Sequence, residues 1–280
     1  MSESRSLLEL IEETVSAGEV RLPARNQTAQ QLQTILGEKN YEIHEILEIV
    51  ESDQALTTEI LRVANSPFYC GLSEITTVRN AVVRIGGPEV VRLAIAAVEK
   101  DNYRVHNEEF SQIMKPLWDH AMGVALGARW LARRLGFRDL ENESFIAGLL
   151  HDVGKLILIR VIDDLQHDGR LTTSVPASVI NEVLDTAHCR YGGLLMEHWS
   201  LPEVYATAVR DHHDEAIDEH NPLLLMVRLA DLACRSLGIG LNSDSSLNLA
   251  ATEEAHALDA REIMLAELAI MLEDAFSLAT

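Results

Sequence analysis

Seven histidine and aspartate side chains of this 280-residue sequence are of types that bind metal ions; most interrupt apolar stretches, and two lie in the charged stretch VRDHHDEA. They are His120, His151, Asp152, His188, His212, His213 and Asp231. The densest stretch, AGLLHDVGKLIL at residues 147–158, also contains Lys155. A charged group buried among aliphatic side chains costs several kcal/mol unless it is paired or bound to a metal ion. Imidazole and carboxylate groups are ligands for Fe, Mn, Ni and Zn, and Mg is also possible.

Taken one at a time, each of these residues has a simpler interpretation, because a single histidine in a helix is more often a core or surface residue than a ligand. As a set, they predict one or two divalent transition-metal ions. One ion could be held by His120, His151, Asp152 and Asp231. Asp152 could bridge to a second ion held by His188 with His212 or His213. Adjacent histidines on a regular helix diverge by about 100°, so both reach one site only near a helix end.

Helical periodicity dominates the sequence and predicts an all-α fold. Apolar residues make up 47% of the chain and aromatic residues only 5%, which gives an aliphatic core suited to packed helices. In the N-terminal half, Asp53 is the expected N-cap of one helix. The next helix is expected to begin at Thr76 or Thr77 and to end at Gly86-Gly87.

Two predicted helices carry the first candidate ligands. One is expected to begin at Pro116 and to reach a C-cap at Gly136, with His120 inside it. The other begins near Glu141 and continues to residue 162. On a single regular helix of this length, His151 and Lys155 would share one face.

Charge and cysteine content restrict the setting. The net charge of −21 opposes direct DNA or RNA binding and attachment to anionic membranes. Cys70, Cys189 and Cys234 are scattered and form no CxxC pair, so they are expected to be reduced thiols of a cytoplasmic protein. The acidic N-terminal stretch is unlike a signal peptide, and no apolar run reaches the length of a membrane span.

The candidate ligands resemble known metal-binding signatures. His120, the pair His151-Asp152 and Asp231 resemble the signature of the HD superfamily of phosphohydrolases. His188 and the pair His212-His213 resemble further ligands of the HD-GYP branch, which degrades cyclic di-GMP. The chain departs from that branch because no Gly-Tyr-Pro follows His213 and because Pro116 stands where the branch can carry a glutamate ligand.

The N-terminal half resembles the HDOD family of bacterial signalling domains. The stretch DQALTTEILRVANSPFYCGLSEITTVRNAVVRIGGPEVVRLAI at residues 53–95 is the most specific, and LPARNQTAQQL at residues 22–32 is similar to the start of the domain. The resemblance implies an HD-type helical bundle preceded by an N-terminal helical layer. The implied organisation is an N-terminal helix or extension at 1–19, an HDOD domain at 20–235 (layer 20–105, HD-like body 106–235), and a C-terminal loop and helix at 236–280.

Two functions follow from the resemblance. The favoured prediction is a regulatory module that binds a protein partner in a signalling pathway and uses the metal as a structural element. The alternative is a metal-dependent phosphohydrolase acting on a phosphodiester, a nucleotide or a cyclic dinucleotide. In such an enzyme the catalytic residues would be Lys155, Asp152 and His213, with Lys155 neutralising charge on phosphoryl oxygens and a histidine transferring a proton. A cavity beside the metal would favour chemistry, whereas closed coordination would favour a structural role.

Overall fold

The structure is a computed structural model that describes residues 6–17, 25–38, 41–66, 69, 74–105, 107–171 and 175–277. Every regular element within these ranges is a helix, which confirms the all-α prediction. The described chain divides into two compact units. The first comprises the described residues within 1–24 and 104–261, and the second those within 25–103 and 262–280. The domain limits inferred from the sequence stay predictions.

The second unit contains six α-helices in its described residues. They are α2 (Gln27–Gly37), α3 (Ile43–Glu51), α4 (Gln54–Ala64), α5 (Val78–Ile85), α6 (Gly87–Lys100) and α14 (Glu262–Ser277). The predicted caps of α4 and α5 are confirmed, because Asp53 and Thr77 accept hydrogen bonds from backbone N–H groups of the first turn. Gly86 ends α5 in a left-handed conformation (φ 91°) and directly precedes α6, so Gly87 belongs to the next helix.

The first unit carries all seven candidate ligands. Its helices are α1 (Leu7–Ser16), α7 (Glu108–Arg134), α8 (Glu141–Leu150), α9 (Val153–His167), α10 (Ala177–His198), α11 (Glu203–Asp211), α12 (Pro222–Ser236) and α13 (Glu253–Ala257). Helix α7 packs against α8 and α12, and α9 packs against α10. The core of this unit therefore lies between long helices that each contribute a candidate ligand or adjoin one.

The predicted start of α7 at Pro116 is wrong, because the helix begins at Glu108 and Pro116 lies within it. Asn107 caps the helix by accepting a hydrogen bond from the Glu109 N–H, and Phe110 and Met114 are buried. We attribute the earlier start to this cap and this burial, which outweigh the backbone hydrogen bond that a proline removes from a helix.

The single helix predicted from Glu141 to residue 162 is also wrong, because the chain breaks at His151 and Asp152. His151 caps the C-terminus of α8 and Asp152 precedes the first turn of α9. The break coincides with a close approach of two backbones, since a β-carbon on Gly154 would lie 1.9 Å from the His188 carbonyl oxygen. The packing of α9 on α10 therefore fixes where α9 begins.

Two further expectations are met only in part by the described residues. None of the described helices combines the length and the low polarity that crossing a bilayer requires. Cys189 and Cys234 are free thiols, whereas Cys70 lies outside the described residues.

Candidate metal centre

The structure brings all seven predicted histidines and aspartates into one cluster of the first unit. His120 lies within α7, His151 and Asp152 lie between α8 and α9, and His188 lies within α10; His212 and His213 follow α11, and Asp231 lies within α12. His213 is exposed, whereas the other six residues are buried. The candidate ligand atoms form two groups, in each of which all atoms lie within 4.8 Å of one another. One group is Asp152, His188, His212 and His213, and the other is His120, His151 and Asp231.

Asp152 lies between the two groups. Its Oδ1 is 3.3 Å from His188 Nε2 and 3.6 Å from His212 Nε2. Its Oδ2 is 3.4 Å from His151 Nε2 and 3.7 Å from His120 Nε2. Each carboxylate oxygen therefore faces a different pair of histidines, which is the arrangement that a bridging ligand requires.

Backbone carbonyls fix the tautomers of four of these histidines. Each Nδ1 lies within hydrogen-bond distance of a carbonyl oxygen, which can only accept, so Nδ1 carries a proton and Nε2 is directed to the cluster. The pairs are His120 with Ile239 (3.0 Å), His151 with Gly148 (2.7 Å), His188 with Leu184 (2.7 Å) and His212 with Ala208 (3.0 Å). A carbonyl partner on Nδ1 is the usual outer contact of a metal-bound histidine.

The spacing and the unmet polar atoms fit metal ions. His188 Nε2 and His212 Nε2 are 3.2 Å apart, and His120 Nε2 is 3.0 Å from Asp231 Oδ1. Two ligand atoms each about 2.1 Å from one ion lie roughly 3.0–3.4 Å apart at octahedral or tetrahedral angles. Among the described residues, His151 Nε2 and Asp152 Oδ1 are buried without a hydrogen-bond partner. Such atoms are costly unless something else satisfies them.

The close packing of the cluster also shifts the pKa values of its members. Burial would raise the pKa of Asp152, but Lys155 and the neighbouring histidines hold it well below its usual range. Burial lowers the pKa of His188 to about 4. Partial desolvation of the His213 ring against the cluster, together with the charge on His212, lowers the pKa of His213 to about 3. Burial opposes protonation of His212, but the adjacent Asp152 and Cys189 side chains outweigh it and raise that pKa to about 10. Without metal, His212 therefore carries a proton in the position where an ion would bind.

Lys155 lies beside the cluster as a buried cation. Its Nζ is 2.7 Å from Asp152 Oδ2. Burial lowers the pKa of Lys155, but Asp152, Asp231 and Asp185 together raise it above its ordinary value. The lysine is therefore charged at neutral pH and remains next to the candidate bridging carboxylate.

A cavity of about 260 Å³ adjoins the cluster and is lined by four candidate ligands, His120, Asp152, His213 and Asp231. Lys155 lines it as well. Residues missed by sequence reasoning complete the wall; they are Leu117, Asp185, Arg235, Leu241 and Asn242. The spacing of Arg235 four residues after Asp231 on α12 was a usable signal, because such residues share a helix face. Asn242 lies in an irregular loop and carries no local signal.

Comparison with known proteins identifies the family of this chain. A family model described as the HDOD domain matches residues 22–215. The chain belongs to the HDOD family. This confirms the resemblance seen in residues 22–32 and 53–95, and the HDOD domain here retains a histidine and aspartate cluster.

Solved structures show the same all-α fold as this HDOD chain. An HDOD domain protein of unknown function from Geobacter sulfurreducens is 23% identical with a TM-score of 0.73, over 96% of this chain and 94% of that one. A proposed metal-dependent phosphohydrolase from Shewanella amazonensis is 18% identical with a TM-score of 0.66, over 91% and 96%. A proposed signal transduction protein from Marinobacter aquaeolei is 22% identical with a TM-score of 0.68, over 97% and 64%.

One curated relative of the HDOD chain is an uncharacterized protein of Treponema pallidum. The two are 24% identical over 213 residues, which is 74% of this chain and 41% of that protein. The chain thus spans about two fifths of the length of the curated relative it matches.

Proposed function

We propose that this HDOD chain is a metal-dependent phosphohydrolase whose centre holds two divalent ions. One observation carries the proposal. The two oxygens of Asp152 face two separate pairs of histidines, and the same residue lines a cavity of about 260 Å³. A purely structural metal site is closed by its protein ligands, whereas a catalytic site keeps an open position toward a cavity.

Each ion is assigned its own ligands, and Asp152 is shared. The first ion would be held by His120, His151, Asp231 and the shared Asp152. The second would be held by His188, His212 and Asp152, and His213 lies close enough to complete it. Nitrogen and carboxylate ligands of this kind suit Fe, Mn, Ni or Zn, with Mg also possible.

Lys155 and His213 would act beside the bound ions. Bound divalent ions supply Lewis-acid chemistry, lowering the pKa of water and polarising a phosphoryl oxygen. Lys155, held 2.7 Å from Asp152, places a fixed positive charge where negative charge develops on the phosphoryl group. His213 lines the cavity from an exposed position. Where His188, His212 and Asp152 hold the second ion without it, the His213 imidazole is free to accept a proton and release it to solvent.

A second candidate function is a regulatory module that binds a protein partner. The observation that favours it is the second unit, which contributes none of the seven cluster residues and so has no evident catalytic task. The neighbour from Marinobacter aquaeolei is named for signal transduction, and the HDOD family supports the same role by analogy. In that case the metal ions stabilise the first unit, and a nucleotide or phosphodiester is a ligand rather than a substrate.

The deciding experiment measures metal content and turnover together. The full chain is purified without chelators, analysed for metal, and assayed with p-nitrophenyl phosphate and bis(p-nitrophenyl) phosphate. We expect one to two ions per chain and hydrolysis that Asp152→Asn abolishes. Asp139→Asn, which alters an exposed acid, serves as the matched control and should retain full activity. A metal-loaded chain that hydrolyses neither ester contradicts the enzyme and favours the regulatory module.

A further inference from the structure

The loop after α12 forms one wall of the cavity and is held in place by its own backbone. The Ile239 and Asp244 N–H groups donate to the carbonyls of Cys234 and Arg235, respectively. Gly240 has φ 122°, and a β-carbon there would lie 2.9 Å from the His120 Cβ. A glycine is required at this approach because no side chain fits and the backbone is in a region that other residues avoid. The loop that carries Leu241 and Asn242 is therefore packed firmly against a candidate ligand.

Arg235 gives this wall a positive group that forms a long ion pair with Asp231. Its Nη1 lies 3.9 Å from Asp231 Oδ2, too far for a hydrogen bond, and its side chain is 34% exposed. Arg235 Nε is buried and has no hydrogen-bond partner among the described residues. An unsatisfied charged donor is costly, and a ligand that accepts from it offsets that cost. Two bound divalent ions together with Lys155 and Arg235 would carry more positive charge than the three carboxylates of the cavity carry negative charge. These carboxylates are Asp152, Asp185 and Asp231.

The outer rim of the cavity differs from its floor. Asp152, Lys155 and Asp231 are buried at the floor, whereas Asp185 and Asn242 are exposed. Asn242 Nδ2 donates to Asp185 Oδ1 at 3.1 Å. The second Asp185 oxygen and the Asn242 amide oxygen can still accept hydrogen bonds from hydroxyl groups of a ligand. The negative charge of Asp185 would repel a second anionic group at the rim. The rim therefore suits a neutral hydroxylated group.

We propose that the cavity binds a small phosphate monoester with a hydroxylated carbon skeleton, with Arg235 contacting the phosphate and Asp185 and Asn242 contacting the hydroxyls. This assignment rests on the proposed metal centre. A monoester carries two negative charges and three free oxygens, which the ions, Lys155 and Arg235 together can engage. The volume of about 260 Å³ lies just below the ~300–1,000 Å³ typical of ligand pockets, which favours a small ligand over a cyclic dinucleotide.

The first test measures phosphate binding by calorimetry on the full chain loaded with Mn²⁺, with inorganic phosphate as the probe. Arg235→Ala should weaken binding about tenfold or more, because it removes a charge-assisted contact, and Arg235→Lys should restore part of it. Arg261→Ala, which removes an exposed arginine away from the cavity, is the matched control. Melting curves of each variant report on folding. Unchanged phosphate affinity in a folded Arg235→Ala or Arg235→Gln variant overturns the phosphate contact.

The second test compares ribose 5-phosphate with inorganic phosphate. Asp185→Asn and Asn242→Ala should weaken ribose 5-phosphate binding roughly fivefold or more, because only the sugar reaches the rim. Asn242→Ala should leave inorganic phosphate binding unchanged, and Asp185→Asn, which removes a negative charge, should not weaken it. Equal effects on both probes, or no effect on either, overturn the hydroxyl contact. These readouts are binding constants. If the variants change binding as expected but the chain hydrolyses neither ester, the proposed ligand is supported and the phosphohydrolase function is contradicted. If the chain hydrolyses esters and Arg235→Ala has no effect on turnover, the phosphohydrolase function is supported and the Arg235 contact is contradicted.

Discussion

A β-carbon on Gly154 would lie 1.9 Å from the carbonyl oxygen of His188 and 2.7 Å from the Gly192 backbone nitrogen. No side chain fits in this space, and the obstacle is backbone rather than a movable side chain. The contact joins the start of α9 to the middle of α10, so it sets the distance between Asp152 and His188.

The first prediction follows from that contact. Gly154→Ala should lower the free energy of unfolding by about 1–3 kcal/mol or more, because α9 and α10 must separate to admit a methyl group. It should also weaken metal binding, since Asp152 Oδ1 and His188 Nε2 would move apart from 3.3 Å. Thermal melting and metal titration measure the two effects. Gly37→Ala, at a helical glycine where an added β-carbon would meet no other part of the chain within 4 Å, should be neutral or slightly stabilising. Equal melting of the two variants would show that the close approach is absent.

The second prediction concerns removal of the metal. EDTA should lower the melting temperature of the metal-loaded chain, because binding energy is coupled to folding when a ligand set forms only in the folded state. Asp152→Ala should melt lower than the wild type when metal is present and should respond little to EDTA, since the shared ligand is gone. A wild-type melting temperature that stays constant after metal has demonstrably left would rule out a stabilising role.

The third prediction separates the two metal positions. Gly240→Ala should displace His120, because the new methyl group would lie within about 3 Å of its ring atoms Nδ1 and Cγ. Ile239, whose carbonyl accepts from His120 Nδ1, would shift with it. We therefore expect weaker binding at the position of His120, His151 and Asp231, with the position of His188 and His212 retained. Metal stoichiometry should fall toward one ion per chain, and loss of both ions would contradict independent positions.

Local rules were sufficient for several elements of the fold. Asp53 and Thr77 were predicted as caps because the capping residue and the helix it begins are adjacent in sequence. The all-α class followed from helical periodicity and an aliphatic core. The clustering was predictable from residue type, because most of the seven residues interrupt apolar stretches, where each would be costly to bury unless it met the others or a metal.

Contacts between distant segments account for the failures. The break at His151 and Asp152 coincides with the approach of Gly154 to His188, 34 positions along the chain, which no local pattern encodes. The early start of α7 depends on burial of Phe110 and Met114, which overrides the tendency of Pro116 to begin a helix. Asn242 enters the cavity wall only because a loop folds back over α12.

The last prediction concerns protons. In the metal-free chain the pKa of His212 is raised to about 10, well above the 6.5 of an unfolded histidine. This proton stabilises the metal-free fold fully below pH 6.5, and the stabilisation is lost as the pH rises through about 10. Because Nδ1 donates to the Ala208 carbonyl, the additional proton is on Nε2, 3.2 Å from His188 Nε2.

A metal ion at that position must displace the His212 proton. Binding at pH 8 should therefore release about one proton per chain, from the position of His188 and His212, and apparent affinity at that position should rise by up to tenfold per pH unit below about pH 10. Calorimetric titration of the metal-free chain in two buffers of different ionisation enthalpy measures the released proton. His212→Asn should abolish the release, whereas His256→Asn, at an exposed histidine outside the cluster, should keep it. A binding heat that is the same in both buffers would show that His212 is already neutral at pH 8 and that its pKa is not raised.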